Sequence, residues 1–436
     1  MKIINFVSHP VTSLQGDLTV PGDKSISHRA ILLGAIAKGT TTVTGFLDGD
    51  DCLATIAACR AMGVRIDGPD EQRVVVHGVG KYGLKKPETA IDCGNSGTSI
   101  RLLTGLLAAQ PFESVLIGDA SLMKRPMNRV SKPLMQMGAQ LQTNEGCPPV
   151  VVEGGHALHG ITYEMPQASA QVKSCLLLTG LYANDETTII EPETTRDHTE
   201  RMLATLSYPV KRIGKSITIN ASHECIGSDI QVPGDLSSAA FFIVAATITP
   251  GSSLCIRNVG INPTRTGVID LLNQMGANIQ IDNPRYYGEE PVADIRVQYA
   301  PLKGIDIPAE LVPLAIDEFP ILFIAAACAR GKTTLRGARE LRLKESDRIG
   351  AMAEGLKQLG IDATPFEDGI IIEGGTMKGG TVESHHDHRI AMAFSIAGAV
   401  ATSPVTIKHC NHISTSFPGF VETAKSARLL IELLPI

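Results

Sequence analysis

Two kinds of hydrophobic run alternate along the chain. The first kind is apolar at nearly every position and built from small and aliphatic residues, as in AILLGAIA, AAFFIVAA and ILFIAAACA. Each run follows a polar turn rich in Gly, Ser or Asp and precedes a Thr-rich stretch. The pattern recurs six times: from Asp23, Gly94, Ala168, Asp235, Asp317 and His386. The second kind is amphipathic, with apolar residues at i, i+3, i+4 and i+7, and often ends in Met-Gly or Leu-Gly: DCLATIAACRAMGV, RVSKPLMQMGAQL, TERMLATLSYPV, GVIDLLNQMGANI, GAMAEGLKQLGI and FVETAKSARLLI. These are helices, and the glycine stands where a left-handed terminator belongs. Short β-rich stretches such as RVVVHG, PPVVVEG and GIIIEGG follow most of them. One β-α-β-α-β-β unit, repeated at about seventy-residue spacing, therefore spans nearly the whole chain.

A helix that is apolar all round must be enclosed by protein. Buried first helices inside a layer of amphipathic helices and sheets give an α/β fold turned inside out, and the expectation is a two-lobed inside-out α/β barrel of six repeats. The near-identical phrases LTVPGDKS (18–25) and IQVPGDLS (230–237) mark chain crossings, because Pro-Gly punctuates a strand before a helix. The hinge is expected near Pro21 and Pro233. Residues 22–232 then form one lobe of three repeats, and residues 1–21 with 233–436 form the other.

Composition narrows the partners. The 436 residues carry 39 Lys and Arg against 45 Asp and Glu, with 4% aromatics and no Trp. Nucleic-acid binding is disfavoured, since both a basic excess and a stacking platform are missing. Nine scattered cysteines with no C-x-x-C pair suit a reducing compartment. The first twenty-one residues read as strand and not as a signal peptide, and no apolar run is long enough to span a membrane. A soluble, cytoplasmic, monomeric protein with small-molecule partners is expected.

Candidate chemistry gathers at the starts of the apolar helices and before the second helices, where unpaired N–H groups favour anions. Lys24, Arg29, Arg101, Arg125, Lys173, Arg196, Lys344, Arg348 and Arg389 supply cations there. Each alone reads equally well as a solvated surface charge; their recurrence at equivalent repeat positions favours an anion-binding cleft. Arg342–Arg348 reads as a capped helix start, with Ser346 or Asp347 as the cap, or as part of a site. Asp317-Glu318 reads as a dipole-stabilised cap or as a base. His385, His386 and His388 lack zinc-site spacing, so no metal is expected. Gly331-Lys332-Thr333 follows a helix and precedes a strand, the reverse of a nucleotide loop.

The phrases PGDKSISHRAILLGAIA, GNSGTSIRLL, GDASLMKRPM, ASAQVKSCLLL, RDHTERML, PGDLSSAAFF, LKESDRI and DHRIAM, in this order, closely resemble the 5-enolpyruvylshikimate-3-phosphate (EPSP) synthase family. The resemblance implies a two-lobed fold and transfer of the enolpyruvyl group of phosphoenolpyruvate to shikimate 3-phosphate, with no cofactor. It implies that Lys24, Ser25, Arg29, Ser169, Gln171, Arg196, Asp317 and Lys344 touch shikimate 3-phosphate. Lys24, Gly97, Arg125, Gln171, Arg348 and Arg389 would touch phosphoenolpyruvate, the last two arginines as a carboxylate clamp. Asp317 would be the base and Glu345 the acid, with Lys24 and Lys344 beside the reacting groups. Some members carry Asn and Lys where this chain has Glu340 and the Thr415-Ser416 pair, which places it nearest the branch with SAQ, RDHTE and SFPGF. Gly97 implies that glyphosate competes with phosphoenolpyruvate. Two rivals stay open: the sister transferase acting on a UDP-sugar, whose mobile-loop Cys is absent from 118–125, and a non-catalytic anion-binding protein.

Overall fold

The computed structural model describes residues 4–435 and divides them into two compact units. One contains the N-terminal segment to Pro21 with Pro233–Tyr286 and the chain from Pro291; the other contains Gly22–Val232 together with Tyr287–Glu290. The described residues form six α-helices per unit. In the Gly22–Val232 unit these are α1 (Lys24–Ile36), α2 (Asp50–Ala61), α3 (Gly97–Leu107), α4 (Asn128–Gln136), α5 (Ala170–Gly180) and α6 (His198–Thr205). The other unit holds α7 (Leu236–Ile248), α8 (Gly267–Met275), α9 (Phe319–Cys328), α10 (Arg348–Gln358), α11 (His388–Ala397) and α12 (Phe420–Ser426).

The odd-numbered helices are the all-apolar ones, and they are the core. Every residue of α7 and α11 is buried. In their unit α7, α9 and α11 contact one another, while in the other unit α3 contacts both α1 and α5. Polar residues inside these helices turn their hydroxyls back on the helix, as Thr104 does to the Ile100 carbonyl and Thr247 to the Ile243 carbonyl, which satisfies them without water.

The sheets share one strand order. In the second repeat, Ile91–Asp92 lies parallel to Ser114–Ile117, which pairs antiparallel with Cys147–Glu153, which pairs in turn with Gln140–Asn144. The parallel pair demands a helical crossover and the antiparallel pair only a hairpin. The third repeat copies this order with Thr162–Glu164, Thr187–Ile190, Ser216–Ile219 and Lys211–Ile213.

Two repeats exchange their first strands. Gln15–Thr19 precedes α1 in sequence yet pairs with Ser253–Gly260, Leu18 opposite Ile256. Asp229–Gln231 precedes α7 yet pairs with Lys38–Thr44, Ile230 opposite Val43. The N-terminal strand Ile4–His9 lies between Val405–Lys408 and Leu430–Pro435 and completes the last sheet. In the fifth repeat the first strand has shrunk to isolated bridges, Lys303 to Arg330 and Asp306 to Thr334. No sequence signal separates that remnant from a loop.

Terminators follow the second helices as the glycines require: Gly63, Gly138, Gly276 and Gly360 all have φ near +80° to +100°. Where the third and last repeats lack the glycine, Ser207 and Arg428 adopt the same left-handed conformation at φ 60° and 69°.

The Pro-Gly phrases sit where backbones touch. A Cβ on Gly22 would lie 1.8 Å from the Gly45 carbonyl oxygen, and one on Gly45 would lie 2.5 Å from that of Val232. Gly234, its counterpart in the other phrase, would meet the Val20 side chain at 3.0 Å and the Asn258 carbonyl oxygen at 3.3 Å, both looser approaches. Gly22→Ala is therefore expected to cost about 2 kcal/mol or more of unfolding free energy, and Gly234→Ala clearly less. Urea denaturation of the two variants checks the order.

Candidate active site

In the Gly22–Val232 unit the cations stand on helix starts that are already capped. Asp23 caps α1 by accepting from the Ile26 amide at 2.9 Å, which sets Lys24 as the first helical residue. The Lys24 ammonium pairs with Asp51 Oδ2 at 2.9 Å. One turn on, Arg29 is 4% exposed and donates to Thr199 Oγ1 (2.7 Å), Ser174 Oγ (2.6 Å) and the Ser25 carbonyl (2.9 Å). All these acceptors are neutral, so the guanidinium is buried without an ion pair. Burial lowers its pKa to about 10, with Glu200 opposing and Arg196 adding to the fall. Such a charge gains from any anion placed on it. Beside it His28, held by Thr55 Oγ1 at 2.8 Å, is pushed well below the usual histidine range, first by burial and then by Lys24 and Arg29.

Ser96 caps α3, so Gly97 opens that helix. Arg125 donates to Asn95 Oδ1 at 2.6 Å. Arg101 donates to Gln171 Oε1 at 2.7 Å, and the Gln171 amide nitrogen donates to Thr98 Oγ1 at 3.0 Å, which fixes which way that amide faces. A methyl on Gly97 would lie 2.8 Å from Arg101 Nη1 and 3.2 Å from Arg125 Nη1, so Gly97, Arg101, Arg125 and Gln171 form one tight group. Ser169 caps α5 through the Val172 amide. Arg196 is half-buried in the turn before α6.

Lys173 does not belong with these cations. Its side chain is 0% exposed and pairs with Glu191 at 3.1 Å and Glu200 at 2.8 Å, so its charge is spent inside the fold. Its place near the start of an apolar helix suggested a site cation; the two glutamates that neutralise it lie 18 and 27 residues later in sequence.

The other unit carries a different chemistry. Asp317 lies 3.2 Å from Lys344 Nζ and 3.5 Å from Arg348 Nη1. Glu318 is the N-cap residue of α9 but makes no side-chain cap hydrogen bond. Glu318 instead is 1% exposed, accepts from Ser237 Oγ, and lies 3.7 Å from Arg265 and 3.9 Å from Arg389. Asp347 is the cap of α10, accepting from the Gly350 amide at 3.0 Å. Arg348, the first residue of that helix, is 1% exposed and held by Asp387 at 2.8 and 3.3 Å and by Glu345 at 2.5 Å. Asp387 also caps α11 through the Arg389 amide at 2.9 Å, so a single buried carboxylate sets both arginines. Burial opposes the charge on Lys344, but Asp317 and Glu340, 3.2 Å away, outweigh it and raise the pKa.

Around Lys344, Arg348 and Arg389 stand five carboxylates: Asp317, Glu318, Glu340, Glu345 and Asp387. This cluster is not a basic wall, contrary to the reading from helix starts alone. The uncompensated positive charge lies at Arg29 in the other unit, and acid–base groups dominate here. Sequence reading found the cations and missed most of the groups that aim them: Asp51, Asn95, Ser174, Thr199 and Asp387. Asp387 carried a signal, since an Asp directly before an apolar helix is a cap candidate.

A profile described as EPSP synthase (3-phosphoshikimate 1-carboxyvinyltransferase) matches residues 8–424. The chain belongs to the EPSP synthase family. It is 65% identical over 430 residues to the 3-phosphoshikimate 1-carboxyvinyltransferase of Legionella pneumophila strain Philadelphia 1, covering 99% of both chains. It is 58% identical over 433 residues to the enzyme of that name from Methylococcus capsulatus, again covering 99% of both chains. Among solved structures, EPSP synthase from Acinetobacter baumannii aligns with TM-score 0.89 at 57% identity, covering 99% of this chain and 100% of that one. The enolpyruvyl transferase NikO from Streptomyces tendae aligns with TM-score 0.80 at 18% identity over the full length of both chains, a likeness of fold. The EPSP synthase match extends through both units described above.

Proposed function

We infer that this chain transfers the carboxyvinyl group of phosphoenolpyruvate to the 5-hydroxyl of shikimate 3-phosphate and releases inorganic phosphate, a step of the shikimate pathway to the aromatic amino acids. The observation that carries the reading is the pairing of a base and an acid on one cationic cluster, Asp317 and Glu345 both bonded to Arg348, in a chain of this family. The reaction needs both groups. As the 5-oxygen bonds to C2, its proton goes to Asp317 and a proton from Glu345 reaches C3, giving a tetrahedral ketal. When the C2–O bond to phosphate breaks, a C3 proton returns to Glu345 and the double bond re-forms.

Lys24, Ser25, Arg29, Ser169, Gln171 and Arg196 bind shikimate 3-phosphate in this reading, the unpaired charge of Arg29 meeting an anionic group. Lys24 and Gln171 also reach phosphoenolpyruvate, whose phosphate lies on Gly97 and Arg125. Its carboxylate lies on Arg348 and Arg389, whose planar forks suit bidentate contact. Lys344 neutralises charge as the hydroxyl is deprotonated. Glyphosate, which carries a carboxylate and a phosphonate, competes for the phosphoenolpyruvate groups. The protein acts as a monomer in the cytoplasm; nine free cysteines suit that reducing compartment, and no helix among the described residues is long and apolar enough to cross a membrane.

Phosphate release decides the reading. Release from phosphoenolpyruvate is expected with shikimate 3-phosphate and none with UDP-N-acetylglucosamine. Release with the nucleotide sugar alone would assign the sister reaction, and release with neither would leave an anion-binding protein.

A further inference from the structure

Three elements that bear the proposed shikimate 3-phosphate contacts meet on one buried ammonium. Lys173 lies in α5, next to Ser174, and reaches Glu191 Oε1 at 3.1 Å, Glu200 Oε1 at 2.8 Å and the Thr195 carbonyl at 3.3 Å. Glu191 in turn accepts from the Thr195 amide at 3.1 Å and from its hydroxyl, pinning the turn that ends in Arg196. Glu200 is in α6 beside Thr199, and Thr199 and Ser174 are the hydroxyls that hold Arg29, themselves 2.7 Å apart. Arg212 also approaches the two glutamates, at 3.5 and 3.7 Å, and it is 31% exposed.

Glu200 is thus the carboxylate whose charge bears most strongly on Arg29, yet it pairs with Lys173 and leaves Arg29 to neutral oxygens. We propose that Lys173 is a positioning residue for shikimate 3-phosphate: by binding Glu200 and Glu191 it withholds Glu200 from Arg29, keeps the Arg29 charge open for the substrate anion, and fixes the turn carrying Arg196. The inference rests on the function proposed above. Two carboxylates, 0% and 9% exposed, with one buried cation removed must find another partner. Arg29, buried and without a counter-ion, is the partner that would gain most. A substrate anion would then have to displace an internal carboxylate.

The test compares Lys173→Met with Lys173→Met/Glu200→Gln in full-length protein, measuring KM for each substrate, shikimate 3-phosphate binding by calorimetry, and melting temperature. Lys173→Met is expected to raise KM and Kd for shikimate 3-phosphate about tenfold while KM for phosphoenolpyruvate stays within about twofold. Removing the Glu200 charge as well is expected to return shikimate 3-phosphate affinity to within about threefold of the parent. A purely structural role would lower the melting temperature and move both KM values together, without rescue by Glu200→Gln; that outcome overturns the proposal. Should Lys173→Met fail to fold, the double variant decides alone, with parent-like affinity supporting the proposal and lost affinity overturning it. The parent assay separates the two levels: a parent with no phosphate release sinks the reaction itself, whereas an active parent with no substrate-specific effect sinks only the role of Lys173.

Discussion

Glu345→Gln is expected to lower kcat by about three orders of magnitude while leaving shikimate 3-phosphate binding within about twofold of the parent. The geometry makes this a clean separation of acid from scaffold. Glu345 bonds to Arg348 through one oxygen at 2.5 Å, and an amide oxygen can accept from the same guanidinium. Arg348 keeps its two contacts with Asp387 whatever stands at 345. The amide cannot deliver a proton to C3, so loss should fall on the chemical step and not on KM. Rapid-quench single turnover, with calorimetry on the same samples, reads both quantities. Equal turnover in the two forms would remove Glu345 from the chemistry. A large rise in Kd for shikimate 3-phosphate would show that the residue acts on binding instead.

The ion pair also states what that acid must do before it can work. Glu345 Oε2 lies 2.5 Å from the guanidinium of Arg348, which is 1% exposed. Delivering a proton requires the pair to loosen, and Arg348 can release Glu345 without being left bare, because Asp387 remains on it. The substrate carboxylate proposed for Arg348 would occupy the place that Glu345 vacates.

What the sequence made legible and what it hid follow one physical rule. Lys24, Gly97, Ser169, Arg348 and Arg389 stand within the first two residues of a helix or at its cap, and the polar-turn-to-apolar-run switch marks such places in any repeat. The core helices were legible for the same reason, since an apolar run with no polar face has only one place to go. Long-range pairing left no such trace. Asp51 and Lys24 are 27 residues apart and Arg348 and Asp387 are 39 apart, and the helix-start pattern does not say which carboxylate neutralises which cation. Lys173 shows the cost: local position suggested a ligand-facing charge, and two distant glutamates had already claimed it. The two Pro-Gly phrases marked a crossing but not its pairing, because Leu18 and Ile230 read as ordinary strand residues and only their partners, Ile256 and Val43, give the register of the exchange between the first and fourth repeats.

Gly97→Ala should fold almost unchanged and yet bind phosphoenolpyruvate about tenfold more weakly, with glyphosate losing about a hundredfold in inhibition. Gly97 has no left-handed backbone, so alanine brings no conformational strain to the start of α3. Its methyl meets only the ends of two flexible side chains, Arg101 Nη1 at 2.8 Å and Arg125 Nη1 at 3.2 Å, which can yield by a few tenths of an ångström. A loss of stability under about 1 kcal/mol is therefore expected. Function has less room, because those two ends are the ones in use. Arg101 orients Gln171 through a 2.7 Å bond, and Arg125, held at 2.6 Å by Asn95, is the proposed phosphate contact. The inhibitor suffers more than the substrate because its phosphonate lies one bond farther from its carboxylate than the phosphate of phosphoenolpyruvate does. Narrowing the phosphate end then shortens a span that only the smaller ligand still fits. Asp317 and Glu345 lie in the other compact unit, and the nearest atoms to the methyl belong to Arg101 and Arg125, so kcat at saturating phosphoenolpyruvate should hold within about threefold. Steady-state KM and glyphosate titrations on the variant measure the ratio directly. An unchanged ratio of inhibitor to substrate affinity would mean that neither ligand places its phosphorus group beside Gly97, and would remove Arg125 with it from the proposed phosphate site.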